Sequence, residues 1–221
     1  MWLLAAVAAW AQPDTNVLRQ VFQENLARRQ RQYGPTDFRT VQATRDLGLF
    51  LAEIGDLPGA RRTLNDIVRI DEMAVGAAAR QTLEDAAALA RISPAVEAEP
   101  LLVRVADSTD PALAVSALSA LAGFRKAAGD KDGEIELLRR ALTKAEMVDR
   151  GDGPNVAIVA KELGRIVLPK ECADLLQRSL DAQRHQFGAR SPVVASTEIE
   201  LTGMLLAAGR EDEAEKSRPT P

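Results

Sequence analysis

The hydrophobic residues of this chain recur at helical spacing along almost its whole length. Val41, Leu47, Leu51 and Ile54 are an example, because they would lie on one face of a helix. Stretches of roughly 13–18 residues rich in Ala, Leu, Arg and Glu are separated by turn-like breaks, and no stretch alternates as a β-strand would. The pattern therefore predicts an all-α protein.

The breaks between these stretches are regularly spaced. They recur about every 36–41 residues, at Gly55-Asp56, Ser93-Pro94, Gly129-Asp130, Leu168-Pro169 and Gly209-Arg210. A second set of breaks lies between them, beginning at Gly34, Asp71, Asp107, Gly151 and Gly188. Segments 23–34 and 177–188 also match each other in register. A break at each half-period predicts a repeated pair of helices.

The first full pair shows the pattern most clearly. Its helices are predicted over residues 40–54 and 58–70. Gly55 can adopt the left-handed conformation that ends a helix, and Pro58 suits the first turn of the next one. Gly48 has no side chain, so a neighbouring helix can approach closely at that point.

These residues resemble a known family, the tetratricopeptide repeat (TPR), in its longer, kinesin-light-chain-like variety. The family has small residues and a turn glycine at the places occupied by Gly48, Ala60 and Gly55. The predicted structural repeat positions are Leu47, Gly48, Gly55, Ala60, Leu121, Gly129, Leu201, Gly209 and Ala214. The resemblance implies a right-handed α-solenoid, in which antiparallel helix pairs stack into a superhelix around a continuous apolar spine.

The resemblance also implies a domain organisation. A repeat domain is predicted over residues 12–216, with a half unit at 14–34 and five units near 37–72, 76–106, 111–148, 154–187 and 192–216. The second of these units lacks the Gly-Asp turn, and residues 109–118 also resemble the start of a HEAT-type helix. Both families are solenoids of helix pairs, so the predicted fold class does not depend on that choice.

The two ends of the chain are expected to differ from the repeats. Residues 2–10 form an uninterrupted apolar run, and Ala9-Trp10-Ala11 fits a small-x-small cleavage site, so residues 1–11 are a possible signal peptide. If so, the protein is exported or periplasmic, and otherwise it is cytoplasmic. The alternative is an apolar first helix packed on the next one. Residues 217–221 are predicted to be a flexible tail.

The composition narrows the possible chemistry. The 221 residues include one His and one Cys, which excludes an internal disulfide, a cysteine zinc cluster and a His-pair metal site. A net charge of −4 argues against a nucleic-acid partner, because the phosphate backbone is itself negatively charged. His185 is expected at a solvated position. Cys172 is expected to be a small buried residue, with a reactive thiol as the alternative. Neither residue predicts a catalytic site, and no cofactor or metal is expected.

The resemblance implies a concave groove lined by the first helix of each pair. In the first unit the groove-facing residues would be Gln42, Arg45, Asp46, Leu49 and Glu53. In the later units they would be Arg80, Glu84, Arg91, Ser116, Ser119, Lys126, Asn155, Glu162, Arg165, Ser196 and Glu200. Such a lining would suit a polar or acidic-hydrophobic peptide, with Arg45, Arg80, Lys126 and Arg165 binding its carboxylates. All of these side chains could instead be merely solvated.

The predicted function is a non-catalytic scaffold that binds a protein or peptide partner in this groove. The alternative is a sensor or regulatory repeat domain that acts with a separate catalytic or DNA-binding partner. No nucleic acid and no membrane span in the mature chain are expected, and the sequence does not predict an oligomeric state.

Overall fold

The computed structural model describes residues 14–149 and 153–218. The predicted signal peptide at residues 1–11 therefore lies outside the described residues. Within the described residues the regular secondary structure is helical, with no strand. The helices are α1 Thr15–Tyr33, α2 Phe38–Glu53, α3 Leu57–Ala74, α4 Arg80–Ile92, α5 Ala95–Ala106, α6 Pro111–Ala127, α7 Lys131–Asp149, α8 Pro154–Gly164, α9 Pro169–Phe187, α10 Pro192–Ala207 and α11 Glu211–Lys216.

The chain divides into two compact units between Ala98 and Glu99, a point that falls within α5. In the first unit each helix from α1 to α4 packs on the next one along the chain. In the second unit the same is true from α6 to α11. Short connections between packed neighbours make them antiparallel. The assignment of these helices to five repeat units with the stated boundaries stays a prediction.

Three of the connections share one turn geometry. Gly55, Gly129 and Gly209 have φ angles of 82°, 75° and 72°, which lie in the left-handed region that glycine adopts without strain. In each case the following residue donates its backbone N–H to the carbonyl five residues earlier, as Asp56 does to Leu51 at 2.9 Å. This is the Schellman arrangement, which satisfies helix-end carbonyls and turns the chain back.

Each unit has an apolar core built on the repeated small and large positions. In the first unit Leu47, Leu51 and Ala60 form a buried cluster, and Phe22 stacks on Phe50 with ring centroids 4.8 Å apart. In the second unit one buried cluster contains Cys172, Ala173, Leu176, Leu180, Val194, Leu201, Leu205 and Ala214. Leu47 and Leu201, which were expected to be buried, are indeed buried.

Two helix ends differ from the sequence expectation. A break was predicted from Asp71 to Gly76, but α3 continues to Ala74, so Asp71 lies within a helix and is buried. Ser217, the first residue of the predicted flexible tail, is also buried. Its hydroxyl lies 2.8 Å from that of Thr202 and donates to the carbonyl of Ala214. Residues 219–221 lie outside the described residues.

Candidate functional site

The predicted groove residues of the first two repeat units lie on α2 and α4. Arg45 of α2 makes the contacts that join these two helices. Its Nε and Nη2 atoms donate to the two carboxylate oxygens of Asp85, each at 2.7 Å. Nη2 also lies 3.4 Å from Asp71 of α3. Gln81 donates a further hydrogen bond to Asp71 at 2.9 Å. Three consecutive helices therefore converge on one guanidinium and two carboxylates.

This Arg45 cluster, defined as Arg45, Asp71 and Asp85, is shielded from water. The side chains are 18%, 4% and 3% exposed, respectively. Burial raises the pKa of Asp71, and the neighbouring Asp85 contributes to the rise. The hydrogen bonds to Asp85 raise the pKa of Arg45 above its already high ordinary value. Because both bidentate donors of Arg45 are used internally, the cluster acts as a structural tie between helices.

Other predicted groove residues of α2 and α4 lie around this cluster. Gln42 accepts a hydrogen bond from Arg45 at 2.8 Å and lies 3.4 Å from Asp46. Leu49 and Glu53 lie further along the same helix, and Leu49 is exposed. Arg80 and Glu84 form an exposed pair at 2.8 Å along α4. These side chains are spread along two helices, so the first unit offers them as a surface.

The second unit has a cleft between α6, α7 and the end of α8. Its volume is about 270 Å³, and Ala122, Leu138 and Ile166 form its apolar walls. Its more polar side is lined by Ser119, Gly123, Lys126, Glu134, Glu162 and Arg165. Four of these, Ser119, Lys126, Glu162 and Arg165, were predicted groove residues. The structure thus brings together four of the six residues predicted for the groove in the third and fourth repeat units.

We call this cleft the α6–α8 cleft. One of its charged side chains forms an ion pair within the described residues, and three do not. Arg165 lies 3.6 Å from Glu200, which also pairs with Lys161 at 3.3 Å. Lys126, Glu134 and Glu162 form no ion pair within the described part of the chain. Lys126 and Glu162 are exposed to water, whereas Glu134 is buried, so Glu134 is the group that would gain most from a ligand of opposite charge.

Asn155 was also predicted in the groove, but the structure gives it a local contact. Its amide donates to Asp149 at 2.7 Å, and the same carboxylate accepts the backbone N–H of Val156 at 2.9 Å. Asn155 does not line the α6–α8 cleft. Its hydrogen bond holds the start of α8 to the end of α7.

Glu134 is the cleft residue that the sequence analysis missed. It lies five residues after Gly129, just as Ala60 follows Gly55 and Ala214 follows Gly209. Ala60 and Ala214 are 0% and 2% exposed in their cores. A glutamate at a position where sister units have a buried alanine was the available signal, because a charged group is seldom placed in a core without a purpose or a partner.

A larger recess of about 560 Å³ runs along α1. The described residues that line it, among them Val21, Glu24 and Arg28, all belong to α1. A single helix supplies no opposing wall from the described part of the chain, so this recess does not gather converging groups as the α6–α8 cleft does.

Cys172 and His185 are the two residues that the sequence analysis considered for chemistry. Cys172 is buried at its predicted small-residue position, and burial raises the pKa of its thiol, with Glu200 contributing. A raised pKa disfavours the thiolate that a reactive cysteine needs. His185 is exposed on α9. Across the described residues, no three His, Cys, Asp or Glu side chains gather as a metal-binding group.

Comparison with known proteins shows similarity in structure only. No family model matches the chain, and no curated protein matches it in sequence. The crystal structure of BtubC (BKLC) from P. vanneervenii aligns with a TM-score of 0.67 at 14% identity, covering 92% of this chain and 88% of that chain. At that identity the alignment shows a shared fold.

Two further structures match less closely. Both are of Podosopora anserina kinesin light chain nearly identical TPR-like repeats, and one of them carries a single substitution. They align with TM-scores of 0.41 and 0.40 at 15% identity, covering 92% of this chain and 83% and 82% of theirs. Scores this low add no structural argument. The predicted all-α fold, in which successive helices pack on one another, is confirmed by the described helices and by the alignment with BtubC.

In residues 14–149 and 153–218, no helix combines the length and the apolar composition needed to cross a bilayer.

Proposed function

We propose that this chain is a non-catalytic scaffold that binds a segment of a protein partner, a peptide or a helix, with the α6–α8 cleft as its main contact site. The observation that carries the proposal is the convergence of Ser119, Lys126, Glu162 and Arg165 on one cleft. TPR-like folds generally mediate interactions between proteins, and they do so with side chains presented by rigid helices.

The dimensions of the cleft support a macromolecular ligand. Pockets that enclose drug-sized ligands or cofactors have volumes of about 300–1,000 Å³, and this cleft of about 270 Å³ falls just below that range. A peptide needs to bury only one or two side chains in such a cleft, while its backbone lies across the neighbouring helix surface. The residues Leu49, Glu53, Arg80 and Glu84 would offer a separate, shallower contact surface on the first unit.

The test uses a glycine that lines the cleft. A Cβ atom placed on Gly123 meets nothing within 4 Å, so Gly123→Trp can fill the cleft without disturbing α6. Gly203 of α10 is equally unobstructed and does not line the cleft, so Gly203→Trp is the matched control.

Each variant and the unmodified protein would be used as bait in an extract of the source organism, with captured proteins quantified by mass spectrometry. We expect at least one protein to be captured by the unmodified chain and by Gly203→Trp but lost with Gly123→Trp. Circular dichroism would confirm that both variants keep their helices. If every captured protein is bound equally by all three baits, the cleft is not the binding site.

A further inference from the structure

Glu134 occupies an unusual position in the α6–α8 cleft. It lies in the first turn of α7 and is only 7% exposed, and Leu138, one turn further along, lines the same cleft. Its sister positions are the buried alanines Ala60 and Ala214. Glu134 therefore places a carboxylate where Ala60 and Ala214 each place a methyl group.

No described side chain compensates this carboxylate. Glu134 forms no hydrogen bond or ion pair through its side chain within the described residues, although Lys126 lines the same cleft. The start of α7 provides some stabilisation, because a helix N-terminus favours negative charge. Burial of most of the residue removes part of the hydration of its carboxylate, and the helix end replaces only some of it. A cation supplied from outside the chain would complete the site.

The charged side chains that line the cleft are two carboxylates, Glu134 and Glu162, and two cations, Lys126 and Arg165, so their net charge is zero. Glu162, Lys126 and Arg165 are exposed to water, and Glu134 is the buried one of the four. The sign of the expected ligand therefore rests on Glu134, whose complement is a cation.

The shape of the cleft selects a particular kind of cation. The absence of a side chain at Gly123 leaves space opposite α7, and Leu138 and Ile166 provide apolar walls. Lysine and arginine side chains combine an apolar stem with a charged end, and such stems pack on apolar surface while the charge reaches a polar partner. A hydrated metal ion would not pack favourably against the apolar walls.

We propose that the α6–α8 cleft binds a lysine or arginine side chain of the partner protein, with its charged end at Glu134 and its stem between Leu138 and Ile166. The inference rests on the proposed function and specifies the ligand of the same site. It differs from the expectation from the sequence, which was a polar or acidic-hydrophobic peptide whose carboxylates bind Arg45, Arg80, Lys126 and Arg165.

A displayed library of random linear peptides provides the probe. It would be selected on the unmodified protein, on Glu134→Gln and on Glu136→Gln, after removal of peptides that also bind Gly123→Trp. Glu136 lies two residues along α7 and does not line the cleft, so its variant is a control for charge alone. We expect one position rich in Lys or Arg on the unmodified protein and on Glu136→Gln, and loss of that preference on Glu134→Gln.

A synthetic peptide from this selection then gives the affinity. Replacing its basic residue by norleucine should weaken binding by roughly tenfold or more, because a hydrogen bond to a charged group is lost. Thermal unfolding of Glu134→Gln should be no lower than that of the unmodified protein, which shows that any loss of binding is not a loss of folding.

The two possible failures are distinguishable. Selected peptides that depend on the open cleft but are rich in Asp or Glu, and bind Glu134→Gln equally well, would overturn this inference and leave the proposed function intact. If no enriched peptide distinguishes the unmodified protein from Gly123→Trp, the proposed function fails, and this inference fails with it.

Discussion

The Arg45 cluster and the α6–α8 cleft place charged side chains between three helices in different ways. In the Arg45 cluster one guanidinium lies within 3.4 Å of both Asp71 and Asp85. In the cleft Glu134 has no such partner in the described residues. Both carboxylate sites are more than nine-tenths buried. A buried charge that has an internal partner, as in the Arg45 cluster, holds helices together. A buried charge without one, as at Glu134, is where we propose that a ligand binds.

The difference arises from a few aligned positions. When Leu47 is matched with Leu121, Leu49 corresponds to Gly123, so a large side chain in the first unit is replaced by none in the second. The same alignment places Ala60 opposite Glu134. Removal of one side chain and extension of another produce a cleft with a carboxylate, without any change in the helical framework.

The largest effect is expected from removing the guanidinium of the Arg45 cluster. Arg45→Met leaves Asp71 and Asp85 buried without a counter-charge, and such a change costs about 3–5 kcal/mol of folding free energy. Urea unfolding would measure it. The control is Arg139→Met, because Arg139 pairs with Glu171 on the surface, and exposed pairs contribute at most about 1 kcal/mol. A loss for Arg45→Met as small as that of the control would show that the cluster is not a structural tie.

A smaller effect separates the two carboxylates of the cluster. Asp85→Asn removes one acceptor of the bidentate pair and should cost about 1.5–3 kcal/mol. Asp71→Asn keeps an oxygen for Gln81 and Arg45, and it removes a charge that burial disfavours. We therefore expect Asp71→Asn to be neutral or stabilising at pH 7.

The difference in stability between Asp71→Asn and the unmodified protein should depend on pH. Because the pKa of Asp71 is raised in the fold, its protonated form contributes stability at low pH, and this contribution is lost as the pH rises through the raised pKa. The stability of Asp71→Asn relative to the unmodified protein should therefore increase with pH over that range. Equal losses for Asp71→Asn and Asp85→Asn at pH 7 would contradict this assignment.

The smallest effect is expected from alanine substitutions at Gly48 and Gly123. They test whether there is free space beside Gly123 in the α6–α8 cleft and none beside Gly48. An alanine at Gly123 meets no atom within 4 Å, whereas at Gly48 its Cβ would lie 3.0 Å from Cδ2 of Leu64. Gly123→Ala should stabilise the protein by about 0.5–1 kcal/mol through helix propensity. At Gly48 the close contact offsets this gain, so Gly48→Ala should be clearly less stable than Gly123→Ala in thermal unfolding. Equal gains at both positions would remove the distinction.

The fold could be predicted from the sequence because its determinants are local. The helical spacing of Leu47 and Leu51 is visible within one unit, and so is the turn glycine Gly55. Gly129 and Gly209 repeat that glycine later in the chain. The end of α3 was predicted too early because Asp71 has the sequence features of a turn residue. Its partners Arg45 and Gln81 lie on other helices, and a sequence alone does not display their proximity.

The candidate site was predictable only in part, for the same reason. Ser119, Lys126, Glu162 and Arg165 were predicted from their positions on first helices, and they do line one cleft. The guanidinium of Arg45 is instead occupied by Asp85, 40 residues away along the chain. Its direct role in binding a ligand stays a prediction that nothing in its geometry favours.

The Arg45 cluster has a consequence for dissecting the chain into shorter pieces. A fragment that ends after α3 would keep Arg45 and Asp71 but lose Asp85, which supplies both of the shortest contacts to the guanidinium. Such a fragment would leave Arg45 without its bidentate acceptor, with only the longer 3.4 Å carboxylate contact, to Asp71. A fragment that ends after α4 would retain all three groups. Truncations designed to isolate the first helices should therefore treat α2, α3 and α4 as a single block.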